Sequence, residues 1–240
     1  KISSVIFGLK KRKKVSDFFI GSQLSQLPKG NYLIKNYPKT ENKFELILGF
    51  CLSVILATLI TIARTTFKSR IFNGFIAFYI SFIRGTPILV QIFLIYYVLP
   101  VFGLNLAPFT AGILAITLNS AAFVTEILRG GLASVPKGQF EAAKSLGISG
   151  FALWWKIILP QTFITSIPPL VNEFTMVLKA TALLSVITVV ELMRVSQQIY
   201  SANYHPVEIL SATFIIYFLM CFVVSRSSVI LEQKFKVKRA

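Results

Sequence analysis

Charged side chains in the apolar middle of this chain are the groups best suited to act on a polar solute. Arg84, Glu126, Glu173 and Lys179 lie within or beside long runs of uncharged residues. A charged side chain at mid-membrane raises the free energy by about 2.5–3.5 kcal/mol, so each one should face other protein or a water-filled path. The sequence therefore predicts polar contacts inside a largely apolar structure.

Two of these charged groups have simple structural interpretations. Glu126 lies three residues before Arg129, and the two side chains can form an ion pair on one helix. Arg84 precedes Gly85-Thr86-Pro87, where a straight helix should break, and it can bind the carbonyl groups that the break frees. Contact with a solute remains the alternative for Glu126.

Glu173 and two asparagines are the leading candidates for contact with a solute. Glu173 falls on the first turn after Pro168-Pro169, where we expect a new half-helix to begin. Broken helices at mid-membrane are where solute sites tend to be built. Asn172 precedes Glu173, and Asn119 lies in another apolar run. Hydrogen bonding between helices is the alternative, since it is common for buried asparagines in membranes.

The histidine and cysteine residues of the chain do not indicate a catalytic site or a cofactor site. The chain has one histidine, His205, and two cysteines, Cys51 and Cys221, which lie in apolar runs and behave there as small hydrophobic groups. A His-rich metal cluster is therefore excluded. The sequence has no Gly-x4-Gly-Lys-Ser/Thr loop to hold nucleotide phosphates. We expect no enzyme activity, no catalytic residue, no metal site and no cofactor.

The composition requires a membrane around these groups. Of 240 residues, 55% are hydrophobic and 14% are charged, whereas soluble domains carry about 25% charged residues. A spanning helix needs about 20 apolar residues. The sequence predicts an all-α membrane protein with an interfacial helix over 71–83 and five transmembrane helices, over 44–63, 88–101, 108–128, 157–190 (broken at its two prolines) and 209–225.

The basic residues predict the domain organisation and the orientation. The net charge is +16, and ten of the 25 basic residues lie in the first 43 positions. We divide the chain into a basic N-terminal segment without assigned function, 1–43, a transmembrane domain, 44–230, and a basic tail, 231–240. Basic loops after the first and third spans should be cytoplasmic, and so should the C terminus. Five spans then place the N-terminal segment outside, against its own basic residues.

The loop over 134–160 should form two short helices rather than a disordered connection. We predict a helix over 139–146 with Glu141 in its first turn, where the helix dipole favours a carboxylate. Gly147 is suited to the left-handed residue that ends this helix. Ser149 can cap a second helix, which Pro160 should end. Ala142 and Ala143 make the first helix thin on one side, so that it fits a partner's groove.

The spacing in this loop resembles a known motif. Glu141-Ala142-Ala143 is followed by Gly147 and then, after nine residues, by Ile157 and Leu159-Pro160. This pattern is similar to the EAA loop of ABC importer permeases. Phe82-Ile83-Arg84-Gly85-Thr86-Pro87-Ile88-Leu89-Val90-Gln91, with 122–131 and 134–139, resembles the polar amino-acid branch of that family, the histidine/glutamine/arginine type. Residues 179–183 depart from it, since alanines stand at 180 and 182 where the branch has Asp and Ser.

The resemblance implies a type I importer permease whose cytoplasmic coupling helix inserts into an ATPase. It further implies a location in the bacterial cytoplasmic membrane. The implied function is uptake of a polar amino acid (for example arginine, lysine, histidine or glutamine), driven by ATP hydrolysis in other subunits. A carboxylate in the path would favour a cationic substrate such as arginine, lysine or histidine. The partners it implies are two ATP-binding subunits, a second identical or homologous permease subunit, an extracytoplasmic solute-binding protein and membrane lipid, without nucleic acid. The expected ATPase contacts are Gly138, Glu141, Ala142, Ala143, Leu146 and Gly147, and the expected substrate contacts are Asn119, Glu126, Asn172 and Glu173.

Two other classes of protein remain open at this point. In an ion-coupled secondary transporter or channel, Glu126 or Glu173 would relay protons or ions, although the paired internal repeat of many such proteins is not found. In a membrane-anchored protein that binds nucleic acid or lipid, the run from Lys10 to Lys14 would supply the contacts.

Overall fold

The structure is a computed structural model that describes residues 45–67 and 69–236. The predicted N-terminal segment 1–43 and the last four residues of the predicted tail lie outside this part of the chain. The described residues form helices and contain no strand. In chain order the helices are α1 (Glu45–Thr66), α2 (Arg70–Gly85), α3 (Ile88–Phe93), α4 (Pro108–Ala133), α5 (Lys137–Ser145), α6 (Gly150–Leu153), α7 (Leu159–Ala180), α8 (Leu192–Asn203) and α9 (Pro206–Lys236).

Four helical segments of the described part are long and apolar enough to cross a membrane. They are Leu46–Thr66, Pro108–Ala133, Gly150–Ile187 and Pro206–Ser227. A fifth candidate consists of Arg70–Gly85 and Ile88–Phe102, which meet at a bend of 108°. With that bent pair counted as one span, the described residues contain five candidates. The prediction differed in the second one, for which it used 88–101 alone beside an interfacial helix over 71–83. The all-α membrane fold is confirmed.

Small residues allow α1 and α4 to pack closely and in parallel. Thr117 donates its hydroxyl to the Gly49 carbonyl at 3.3 Å, and one turn further along Ser53 donates to Ser120 at 3.3 Å. One further turn along the two helices, the fully buried Ala57 packs with Val124. Small and hydroxylated side chains let helix backbones approach each other inside a membrane, where apolar burial alone does not favour contact between helices.

α7 runs antiparallel to α4, and the two helices are in close contact at Gly131. A Cβ atom at Gly131 would clash with the Ser166 hydroxyl and would lie 2.9 Å from the Thr162 carbonyl oxygen. At the other end of the pair, Gly112 lies against Leu184. The prolines Pro168-Pro169 lie between these two contacts.

The predicted break at Pro168-Pro169 is wrong, because α7 is one helix from Leu159 to Ala180 with both prolines inside it. Prolines are tolerated in membrane helices when neighbouring helices hold the chain in place. α7 is held on both sides of the prolines: Thr162 and Ser166 are buried before them, and Thr175 is buried after them. Tertiary packing thus outweighs the local tendency to break.

The predicted helix end at Pro160 is also wrong. The chain is helical from Gly150 to Ile187, and a π-helical turn over Trp154–Ile158 comes directly before Pro160. In this wide turn the Leu159 N–H bonds to the Trp154 carbonyl. The turn changes the hydrogen-bond register just where Pro160 lacks an N–H, so the helix continues.

The segment between the last two spans contains α8, which the sequence reading did not predict. Glu191 caps this helix, since its carboxylate accepts the N–H groups of Met193 at 2.7 Å and Arg194 at 2.6 Å. The same carboxylate accepts the Tyr217 hydroxyl of α9 at 2.9 Å. α9 then runs back antiparallel to α7. The C-terminal ends of α1, α4 and α9 therefore lie at the same end of the bundle as α5.

Candidate functional site

Helix α5 and the turn after it form an exposed elbow at the end of α4. The turn has a complete set of terminal hydrogen bonds: the Gly147 N–H bonds to the Lys144 carbonyl at 3.0 Å, and the Ile148 N–H bonds to the Ala143 carbonyl at 2.9 Å. Gly147 has φ +71°, a left-handed conformation that favours glycine. The predicted role of Gly147 in ending the helix is confirmed.

Five of the six predicted coupling residues lie on the surface of this elbow. Ala143 is the exception, because only 2% of it is exposed and it packs against its own chain. The thin side of α5 therefore serves internal packing at Ala143, which corrects the expectation that both alanines fit a partner's groove. The five exposed residues are Gly138, Glu141, Ala142, Leu146 (75% exposed) and Gly147.

The helix α5 begins earlier than predicted, at Lys137. Glu141 therefore lies in the second turn, and its carboxylate does not interact with the first-turn N–H groups as expected. It is exposed instead. Ser149 occupies the predicted capping position but makes no side-chain capping bond. A contact between Gln161 and Gln139, at 3.3 Å, joins α5 to the start of α7.

The interior of the bundle holds one line of polar side chains that joins three helices. Ser53 of α1 donates to Ser120 of α4, and Ser120 donates to a carboxylate oxygen of Glu173 on α7 at 2.9 Å. Ser53 and Ser120 are fully buried, and Glu173 is half-buried. Glu173 is thus held toward the α1–α4 contact.

A second polar cluster supports the bend between α2 and α3. The Gln91 amide donates to the Ile83 carbonyl at 2.9 Å and to the Thr86 hydroxyl at 2.9 Å, and its oxygen accepts the Asn119 amide at 3.0 Å. The side chain that binds a carbonyl at the break is therefore Gln91. Arg84, which we expected there, points elsewhere: its guanidinium lies over the Phe123 ring, 5.5 Å from the centroid.

The four predicted substrate residues occupy separate environments. Asn119 binds Gln91, and Glu173 binds Ser120. Glu126 forms the predicted ion pair with Arg129, at 2.8 Å, and a second with Arg64, at 3.5 Å. Asn172 is exposed on α7. Within this one chain the structure does not bring them into a single pocket.

Sequence reasoning missed Gln91, Ser53 and Ser120. Each was visible as a polar residue inside an apolar run, and Gln91 follows the predicted break at Pro87 by four residues. Polar residues of this kind in a span usually bond between helices. The described residues also contain no group of three or more potential metal ligands.

Comparison with known proteins identifies the family. Residues 46–237 match the family described as the binding-protein-dependent transport system inner membrane component. The L-cystine transport system permease protein TcyB of Bacillus subtilis is 40% identical over 190 residues, which cover 78% of this chain and 80% of that protein. The glutamine transport system permease protein GlnP of Escherichia coli is 37% identical over 193 residues, which cover 80% of this chain and 88% of that protein.

Solved structures agree with this assignment. The crystal structure of an amino acid ABC transporter with histidines aligns with a TM-score of 0.72 at 36% identity, over 79% of this chain and 88% of that one. The MetNI methionine ABC transporter, at 13% identity and a TM-score of 0.62, shares the fold. The chain therefore belongs to the family of inner-membrane permease components of binding-protein-dependent transport systems.

Proposed function

We propose that this chain is the translocation subunit of an ABC importer for a polar amino acid, and that ATP hydrolysis in partner subunits drives the transport. The observation that carries the proposal is the α5 elbow, whose exposed Glu141, Leu146 and Gly147 stand at the end of two spans. The relatives named for cystine and glutamine transport support an amino-acid substrate. The chain itself needs no catalytic residue for this role.

The elbow is built to transmit movement to the membrane helices. Ala143 anchors α5 to its own chain, and the Gln161–Gln139 contact joins it to the start of α7. At Gly131, just before α5, α4 and α7 are already in close contact. A force on α5 would therefore move α4 and α7 together, instead of bending a loose loop.

Two substitutions test this coupling. Glu141→Lys reverses an exposed charge, and Gly147→Pro removes the N–H that bonds to Lys144 and cannot adopt a φ of +71°. We expect both variants to insert into the membrane but to lose amino-acid uptake and substrate-stimulated ATP hydrolysis. Glu208→Lys is the matched control, because Glu208 is exposed in the first turn of α9 at the opposite end of the bundle. Uptake that survives in both elbow variants would refute the coupling role.

We further propose that the path for the substrate runs along an exposed stripe of α7. Asn172, Met176 and Lys179 recur at helical spacing and are all exposed, yet an amide and an ammonium group are unfavourable against lipid. A second permease subunit placed against this stripe would cover it and complete the path. Two ATP-binding subunits and an extracytoplasmic solute-binding protein would complete the importer, with the C terminus of this chain in the cytoplasm.

Glu173 and Asn172 are the side chains we propose for substrate contact, because they lie on α7 at or beside its exposed stripe. Asn119 and Glu126 are secondary, because they lie on α4. A carboxylate near the path favours a cationic amino acid. We expect Glu173→Gln to lower uptake of arginine, lysine or histidine more than uptake of glutamine. An unchanged ratio of arginine to glutamine uptake in reconstituted vesicles would remove Glu173 from the proposal without affecting the coupling role of α5.

A further inference from the structure

Two guanidinium groups contact a single carboxylate near the α5 end of the bundle, and a third lies about one helical turn away along α4. Arg129 bonds to Glu126 through two nitrogens, at 2.9 Å and 2.8 Å. Arg64, in the last turn of α1, lies 3.5 Å from the other oxygen of the same carboxylate. Arg84, in the last turn of α2, lies over the ring of Phe123, which precedes Glu126 by three residues on α4. The cluster therefore contains one negative charge and three positive charges, so that two positive charges have no counterion.

No further carboxylate balances this excess within the described part of the chain. The ion pairs there join Glu126 to Arg64 and Arg129, and Glu208 to His205 at the other end of the bundle. Arg84 contacts the Phe123 ring instead of an acidic group. Because two positive charges in this cluster have no counterion within the described part of the chain, the cluster attracts an anion from outside it.

The cations face outward and the carboxylate faces inward. The side chain of Arg129 is 59% exposed and that of Arg64 is 32% exposed, whereas Glu126 is 21% exposed. An approaching anion therefore meets guanidinium groups before it meets Glu126. Guanidinium groups also match the geometry of phosphate, since they can donate two parallel hydrogen bonds.

The position of the cluster indicates a lipid. Arg64 lies in the last turn of α1, and Arg129 lies four residues before the end of α4. Both are close enough to the ends of their spans to reach the headgroup level. Arg84 lies beside Phe123, about one helical turn from Glu126, and a long Arg side chain can reach the headgroup level from there. The exposed, stacked rings of Phe78 and Phe82 on α2, with centroids 6.0 Å apart, offer apolar surface for acyl chains.

We propose that Arg64, Arg84 and Arg129 form a binding site for the headgroup phosphate of an anionic phospholipid. Glu126 holds Arg64 and Arg129 in position, so that the lipid joins the ends of α1, α2 and α4. The three arginines lie on α1, α2 and α4, away from the exposed stripe of α7 and from the coupling surface of α5.

Native mass spectrometry of the purified, assembled transporter can test the site. Phosphatidylglycerol and phosphatidylcholine are titrated against it, and the ratio of their affinities is measured. We expect Arg64→Gln and Arg129→Gln each to lower the preference for phosphatidylglycerol about fivefold, since one basic residue near the membrane surface contributes about that factor. Arg226→Gln is the matched control: Arg226 also lies over an aromatic ring, Phe222, at 5.8 Å, but outside the cluster. It should lower the ratio less than the cluster substitutions do, because a single arginine binds a headgroup phosphate less tightly than a group of three.

Glu126→Gln gives the opposite sign and separates lipid binding from a purely structural ion-pair role. Loss of this carboxylate leaves three cations without an internal anion, so the preference for phosphatidylglycerol should rise several-fold. An unchanged or lower preference in Glu126→Gln would overturn the proposal, as would an equal loss in Arg226→Gln and Arg129→Gln. Displacement of phosphatidylglycerol by millimolar inorganic phosphate would also overturn it, because the occupant would then be a free anion.

Discussion

The contact at Gly131 offers a sharp test of how α4 and α7 are held together. Gly130 and Gly131 are neighbours on the same helix, yet a Cβ atom at Gly130 meets nothing within 4 Å, whereas one at Gly131 clashes with Ser166 and lies 3.0 Å from the Thr165 hydroxyl. The clash at Gly131 involves the Thr162 backbone carbonyl as well, which cannot move without shifting α7. The pair Gly131→Ala and Gly130→Ala therefore adds the same methyl group to two different environments.

The two substitutions should have different effects on the free energy of unfolding. An extra methyl in a tightly packed contact lowers the free energy of unfolding by about 1–3 kcal/mol, and the gain in helix propensity from Gly to Ala, up to about 1 kcal/mol, offsets part of it. Gly131→Ala should therefore lose about 0–2 kcal/mol relative to the unchanged protein, and about 1–3 kcal/mol relative to Gly130→Ala, which shares the propensity gain. Gly130→Ala keeps only the propensity gain and should be equally stable or more stable. Thermal unfolding of the detergent-solubilised protein, followed by intrinsic fluorescence, measures both.

Equal stability of the two variants would refute the close contact between α4 and α7. A further expectation follows from the position of Gly131 just before α5. Separation of the two helices should weaken the transfer of movement from the elbow, so Gly131→Ala should lower the amino acid transported per ATP hydrolysed. Gly130→Ala should leave this ratio unchanged.

Two further predictions concern the bend and a strained turn. Gln91→Leu keeps the volume but leaves the Ile83 carbonyl and the Asn119 amide without their partner, so it should lower the free energy of unfolding by about 1–3 kcal/mol. The Gln91 and Asn119 side chains bond to each other, so the double variant Gln91→Leu/Asn119→Leu should lose less stability than the two single variants added together. Strictly additive losses would contradict the contact. Thr188 has φ +65°, which is unfavourable for a β-branched residue, so Thr188→Gly should raise the free energy of unfolding by about 1 kcal/mol, and Thr188→Ala should gain less. A destabilised Thr188→Gly would show that the turn is not strained.

The spans and the elbow could be predicted because they depend on local signals. Uninterrupted apolar runs identified the membrane helices, and Gly147 identified the end of α5, since a left-handed residue favours glycine. The spacing of Glu126 and Arg129 likewise predicted an ion pair on one helix face. The structure confirms it, with bonds of 2.9 Å and 2.8 Å. In each case the partners are close in sequence.

The errors arose where distant contacts override local tendencies. Pro168-Pro169 predicted a break, but contacts with α4 on both sides keep α7 continuous. Pro160 predicted a helix end, and a π-helical turn absorbed its missing hydrogen bond. Gln91, instead of Arg84, supports the bend, because the position of its amide depends on how α3 folds back over 108°. Such choices depend on tertiary geometry that spacing along the chain does not specify.

The most direct test of the central claim is a cross-link from the elbow to an ATPase. Leu146→Cys places a thiol on the elbow at a site that is 75% exposed, and Leu104→Cys places one at the opposite end of the bundle at a site that is 58% exposed. In native membrane vesicles, we predict that a short thiol cross-linker joins Leu146→Cys, but not Leu104→Cys, to a protein that mass spectrometry identifies by its nucleotide-binding phosphate loop. We also predict that the yield changes when ATP is added. Failure to capture such a protein from the elbow, or equal capture from both ends, would contradict the account.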